Sequence, residues 1–140
     1  TYAQKTPGVH SGFEYSRTQN PTRMAYEACV ADLEGGCSGF AFASGMAAIS
    51  TVLELIESGS HVIAVDDLYG GTFRLFNQVR RYSANLEFSF VDMTQLDQLE
   101  KNIKSNTQLI WVETPTNPLL KIFDLSAIAA IAKKHHILTV

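Results

Sequence analysis

The chain has 140 residues, a net charge of −3, 46% hydrophobic and 18% charged residues, the profile of one globular domain with a sizeable core. That charge offers no footprint for nucleic acid or an anionic membrane, and no apolar run approaches the roughly 20 residues needed to span a bilayer. Only Cys29 and Cys37 carry thiols, too few for a disulfide framework, so a reducing, cytoplasmic compartment is expected.

Residues 1–21 hold Pro7, Gly8, Gly12 and Pro21 and no sustained period. They are expected to form an extended arm, and 22–140 to form part of one α/β domain. Thr1-Tyr2-Ala3-Gln4 shows no basic-then-apolar signal pattern and no initiator Met, so a missing N-terminus is expected. Thr22 to Leu33 carries a helical stripe of Met24, Ala28 and Ala31 that ends at Gly35-Gly36. Gly39-Phe40-Ala41-Phe42-Ala43 predicts a short buried strand. Gly45 to Ile56 predicts a helix with Met46, Ile49, Val52, Leu53 and Ile56 on one side, stopped by Gly59.

The alternation then repeats. Strands are predicted at His61–Val65, Leu86–Val91, Leu109–Val112 and Ile137–Val140, with helices at Thr72–Tyr82, Leu96–Ile103 and Ser126–Lys134 between them. Strands separated by amphipathic helices imply right-handed βαβ units and a mainly parallel sheet. The last strand stops without a turn, and a chain cut short at that point is expected.

Three strand ends carry polar or glycine-rich loops, on the edge where such sheets bind ligands. Ser44-Gly45-Met46 opens a helix. It reads either as a phosphate-binding turn with free N–H groups or as a plain serine cap. In Asp66-Asp67-Leu68-Tyr69-Gly70-Gly71-Thr72, two glycines permit a tight turn that presents the Tyr69 ring for stacking. The alternative is a loop tyrosine partly covering the core, with Thr72 as N-cap and the aspartates a solvated pair or cap. Glu113-Thr114-Pro115-Thr116-Asn117-Pro118 holds a carboxylate and an amide in a proline-pinned loop, or is simply a rigid turn with an Asx bond at Asn117.

In the arm, Arg17 has the fork that suits phosphate. Taken alone, Arg17 and Arg23 read as surface charges, as do Arg80 and Arg81. No lysine has a flanking pattern for covalent catalysis. His10, His61, His135 and His136 form no ligand spacing, so no metal site is expected. Neither a P-loop nor a dinucleotide glycine fingerprint occurs, which disfavours a nucleotide-binding reading.

Four ordered segments, Y-S-R-x-x-N-P-T-R at 15–23, F-A-S-G-M-A-A at 42–48, D-D-L-Y-G-G-T at 66–72 and E-T-P-T-N-P at 113–118, resemble the pyridoxal 5′-phosphate (PLP) dependent enzymes of Cys/Met metabolism. The resemblance covers nearly the whole chain. It implies the large PLP-binding domain of the aspartate-aminotransferase type, fold type I, with a mainly parallel sheet and helices on both faces. It implies that Gly45 and Met46 donate N–H groups to the cofactor phosphate, in a turn shaped by Ser44. Tyr69 would stack on the pyridine ring and assist proton transfer to the leaving group. Asn117 would contact the ring-hydroxyl side, with Glu113 supporting the pocket. Tyr15 and Arg17 would reach the phosphate of a neighbouring subunit in a homo-oligomer, expected to be a tetramer.

The implied activity is a carbon–sulfur lyase or transferase of the cystathionine γ-lyase or γ-synthase type, acting on cystathionine or a homoserine ester. Cystathionine β-lyase and O-acyl-homoserine sulfhydrylase are the alternatives within the family. Gly71 stands where methionine γ-lyases carry a cysteine, which argues against that activity. The family's pyridine-pairing Asp, its covalent Lys and its carboxylate-binding Arg would all lie beyond Val140, so this stretch alone is expected to be inactive. A non-catalytic ligand-binding or subunit-pairing module is the alternative from a different class.

Overall fold

The structure, a computed structural model, describes residues 4–140. Thr1, Tyr2 and Ala3 of the expected arm lie outside the described residues. The chain divides into two compact units, Thr1–Ala48 and Ile49–Val140.

The first unit opens with a hairpin. Strands β1 (Gln4–Thr6) and β2 (Val9–His10) pair antiparallel, with Gly8 at φ 79° in the turn. Glycine tolerates that left-handed geometry without steric cost. Within the expected arm, Gln4–His10 is therefore paired, with Lys5 in a strand. Helix α1 spans Pro21–Leu33, and the Asn20 side chain accepts the N–H groups of Thr22 and Arg23. Pro21 occupies the first turn, where it has no N–H to leave unpaired. Glu34 caps the other end and Gly35 reverses the chain at φ 64°, the expected glycine stop.

The buried strand expected at Gly39–Ala43 does not form. The segment has no ladder partner among the described residues, and Phe40 is 79% exposed. Apolar content alone cannot make a strand, because its backbone groups need a neighbour to pair with. Helix α2 (Gly45–Val52) follows, and Ser44 accepts the Ala47 N–H at 3.2 Å.

In the second unit a 3-10 turn at Leu53–Leu55 ends the helical run, so the long helix expected to Ile56 is shorter. A parallel sheet follows, built from β3 (His61–Val65), β4 (Glu87–Val91), β5 (Thr107–Trp111) and β6 (Leu138–Thr139) in the order β4-β3-β5-β6. Between them lie α3 (Gly70–Arg74), which continues through a π-helical stretch at Leu75–Arg80 into α4 (Arg81–Ser83), then α5 (Leu96–Lys101) and α6 (Leu125–Lys134).

Every residue of β3 is buried, as expected for a central parallel strand covered on both faces. Val62 and Ala64 lie in register with Phe88 and Phe90 on one side and Leu109 and Trp111 on the other, so these side chains share a sheet face. The Phe76 ring stacks on Phe88 at 4.9 Å and meets Trp111 edge-on at 5.4 Å. The α3–α4 segment therefore covers that face. The step from β3 to β4 runs opposite to the steps from β4 to β5 and β5 to β6. With right-handed crossovers, α5 and α6 then cover the other face, where Leu99, Ile128 and Ala132 are buried. Among the described residues, no helix is long and apolar enough to cross a membrane.

Candidate active site

The chain leaves adjacent strands β3 and β5 toward opposite sides of the sheet. Loops that diverge in this way open a crevice at the carboxyl edge, the usual ligand position in such sheets. The two loops concerned are 66–69 and 112–124, and they carry Tyr69, Glu113 and Asn117.

Glu113 spans the crevice. Its Oε2 accepts the backbone N–H of Tyr69 at 2.8 Å, and its Oε1 accepts the Thr72 hydroxyl at 2.8 Å and the Trp111 Nε1–H at 3.2 Å. Thr72 is fully buried. Both carboxylate oxygens are thus committed to shaping the Tyr69 turn. Tyr69 is 49% exposed, which leaves ring surface available for stacking. Asn117 is exposed, and its side chain makes no hydrogen bond among the described residues. The Asx bond that a purely structural turn would use is absent there.

The aspartate pair bridges loops and is not merely solvated. Asp67 Oδ2 accepts the Thr116 hydroxyl at 2.5 Å and the Leu119 N–H at 2.9 Å. Asp66 pairs with Lys121 Nζ at 2.8 Å, and Lys121 also lies 3.5 Å from Asp92 at the end of β4. Hydrogen bonding to Asp66 raises the Lys121 pKa, aided by Asp92 and opposed by burial. A lysine held charged in this way is the reverse of a nucleophilic amine. Three consecutive parallel strand ends are therefore tied by one ammonium group. Periodicity carries no sign of these cross-loop bonds; the only available signal was a run of carboxylates directly after a strand.

Arg80 and Arg81 are not a wet helix face. Arg80 Nη2 binds the Ser50 hydroxyl at 2.6 Å and Glu54 at 2.6 Å, and the Nε atoms of both arginines are buried without a partner. The π-helical stretch that contains Arg80 shifts its direction away from the one an uninterrupted helix would have.

In the first unit, Ser44 caps α2 while the N–H groups of Gly45 and Met46 have no partner among the described residues. A Cβ at Gly45 would meet nothing within 4 Å. The Arg17 guanidinium lies over the Tyr15 ring at 5.0 Å and forms no ion pair among the described residues. Arg23, read from sequence as a surface charge, donates to the carbonyls of Ser16 at 2.9 Å and Thr18 at 3.0 Å. It also lies 3.5 Å from Glu27, whose Oε1 accepts the Ala41 N–H at 2.9 Å. Arg23 thus anchors the turn that bears Tyr15 and Arg17.

Each unit by itself offers groups that suit part of a phosphorylated aromatic cofactor. Two free amides at a helix start favour a phosphate, an exposed phenol ring suits stacking, and Asn117 keeps an unspent donor and acceptor. The two cysteines are exposed and free, and no group of metal-ligating side chains occurs among the described residues.

Comparison with known proteins gives one consistent picture. The family model for Cys/Met metabolism PLP-dependent enzymes matches residues 1–140. A cystathionine beta-lyase of Coxiella burnetii (strain RSA 493 / Nine Mile phase I) is 60% identical over the whole chain, and a cystathionine gamma-lyase of Bacillus subtilis (strain 168) is 52% identical. The chain covers 36% and 37% of those two proteins, so it spans little more than a third of the curated relatives it matches. The crystal structure of cystathionine gamma-lyase from Lactobacillus plantarum complexed with L-serine superposes with a TM-score of 0.92 at 49% identity, over 99% of this chain and 36% of that one. The observed parallel α/β architecture is the one shared with such lyases.

Proposed function

The chain belongs to the Cys/Met-metabolism PLP-dependent enzymes, and from that premise we propose that the whole protein is a carbon–sulfur lyase or transferase acting on cystathionine or a homoserine ester. The observation that carries this reading is the bond between the loops that follow β3 and β5. There the Glu113 carboxylate draws the Tyr69 turn onto the β5 loop while the Tyr69 ring and the Asn117 amide stay free.

PLP, when bound, supplies an electron sink for the carbanion next to the substrate's amino group. The chain's own residues supply position and electrostatics. The Gly45 and Met46 N–H groups bind the phosphate, and Ser44 shapes their turn by capping α2. Tyr69 stacks on the cofactor ring, and its hydroxyl moves a proton to the departing sulfur or oxygen. Asn117 donates to the ring hydroxyl. Glu113 supports the pocket through Tyr69 and Thr72.

Tyr15 and Arg17 reach the cofactor phosphate of a neighbouring subunit in a homotetramer. An arginine free of any anion among the described residues, on a turn anchored by Arg23, supports that assignment. Exposed, unpaired Cys29 and Cys37 fit work in the reducing cytoplasm.

The reaction is of the cystathionine γ-lyase or γ-synthase type. β-Lyase activity is a second reading, favoured by the 60% identity to a protein of that name. Full-length protein is expected to purify with a visible absorption band from PLP. It should release cysteine and 2-oxobutanoate from cystathionine, or form cystathionine from cysteine and a homoserine ester. Homocysteine and pyruvate as products would select the β-lyase reading. A full-length protein that neither takes up PLP nor acts on these substrates would refute the proposal.

A further inference from the structure

We propose that Asp67 is a positioning residue that sets Asn117 for its contact with the cofactor ring, an inference that rests on the function proposed above. Within 113–118, Thr116 is 1% exposed while Pro115, Asn117 and Pro118 are exposed. The loop is therefore pinned at Thr116 and free on either side of it. The pin is Asp67 Oδ2, which accepts the Thr116 hydroxyl at 2.5 Å and the Leu119 N–H at 2.9 Å. One oxygen from the β3 loop thus brackets the Asn117-Pro118 pair from both sides.

The bracket closes on itself. The Thr116 hydroxyl oxygen accepts the Lys121 N–H at 2.8 Å, the Thr116 N–H donates to the Lys121 carbonyl at 3.1 Å, and the Leu120 N–H donates to the Thr116 carbonyl at 3.1 Å. Leu120 sits at φ 56° to allow that turn. Asp67 is the only side chain of another element that hydrogen-bonds to residues 116–120 among the described residues. Asn117 forms no bond of its own there, so its place depends on its neighbours, and those neighbours depend on Asp67. The arrangement mirrors Glu113. Each loop sends one carboxylate across the crevice to hold the residue that the other loop presents.

The test uses the full-length holoenzyme and its PLP-free form. PLP affinity is read by titration, and ring orientation by visible circular dichroism of the bound cofactor. Asn117→Ala should weaken PLP about tenfold, the loss of one hydrogen bond at the ring. Asp67→Ala and Thr116→Val should each weaken it by a similar factor and alter the dichroic band. The Asp67→Ala/Asn117→Ala double variant should be no weaker than Asn117→Ala alone, because both remove the same contact.

Asp67→Asn keeps an acceptor at the same place and should retain most of the affinity, which separates positioning from misfolding. If Asn117→Ala leaves PLP binding unchanged, the ring-contact reading of Asn117 fails, and this proposal with it. If Asn117→Ala weakens binding but Asp67→Ala does not, or adds its full effect on top, only the positioning role of Asp67 is overturned.

Discussion

Glu113 and Tyr69 are 44 positions apart in sequence, yet the Glu113 carboxylate accepts the Tyr69 backbone N–H at 2.8 Å. The bond joins the loops after β3 and β5, where the direction of the crossovers reverses. Glu113→Gln would place an amide NH₂ against a backbone or hydroxyl donor, because all three partners of this carboxylate donate. A loss of about 1–3 kcal/mol in stability is expected, together with weaker PLP binding through a looser Tyr69. Urea unfolding and PLP titration of the full-length variant check both.

Arg17 is expected to act on a neighbouring subunit's phosphate. Arg17→Ala should weaken PLP binding by about 1.5–3 kcal/mol, as for a lost charged contact, with little change in the unfolding of the PLP-free protein. Equal PLP affinity in parent and variant, by equilibrium dialysis, would remove Arg17 from the site.

His61 is fully buried, with Nδ1 2.7 Å from the Thr107 hydroxyl and Nε2 2.9 Å from the Ser89 hydroxyl. Burial lowers its pKa, Lys104 lowers it further, and Glu87 partly opposes them. The unfolded chain, with an ordinary histidine pKa of about 6.5, therefore takes up this proton first as pH falls. Stability tied to His61 is full above about pH 6.5 and declines below it, toward the lowered folded pKa. His61→Gln should cost stability at about pH 7.5 but flatten the decline toward about pH 5.5. An unchanged pH slope of the urea midpoint would count against it.

Gly39 has no room for a side chain. A Cβ there would overlap the backbone carbonyl oxygen of Glu27 in α1 and lie 3.0 Å from its carbonyl carbon. Gly39→Ala should destabilise the protein by about 1–3 kcal/mol, the usual cost of forced overpacking. Gly36→Ala, where the nearest atom is 3.7 Å away, is the control and should cost less. Thermal unfolding of the two variants gives the comparison.

The parallel sheet was readable because its strands are short stretches rich in apolar residues set between helical patterns, and runs such as His61–Val65 are buried on both faces. α1 was readable from its stripe and its glycine stop. The hairpin at Gln4–His10 was not, since two very short strands carry no measurable period. Gly39–Ala43 misled for the opposite reason: it has a strand's composition and no partner to pair with.

The sequence alone determined the order of strands and helices from β3 onward, and four motifs that name a family. These are local properties, set by side-chain period, caps and turn residues. Only the tertiary structure decided that Asp67 holds the Asn117 turn, that Glu113 holds the Tyr69 turn, and that Lys121 ties three strand ends. Those bonds join residues up to 55 positions apart. They exist because parallel pairing sets strand ends side by side, and no local pattern along the chain records which ends will meet.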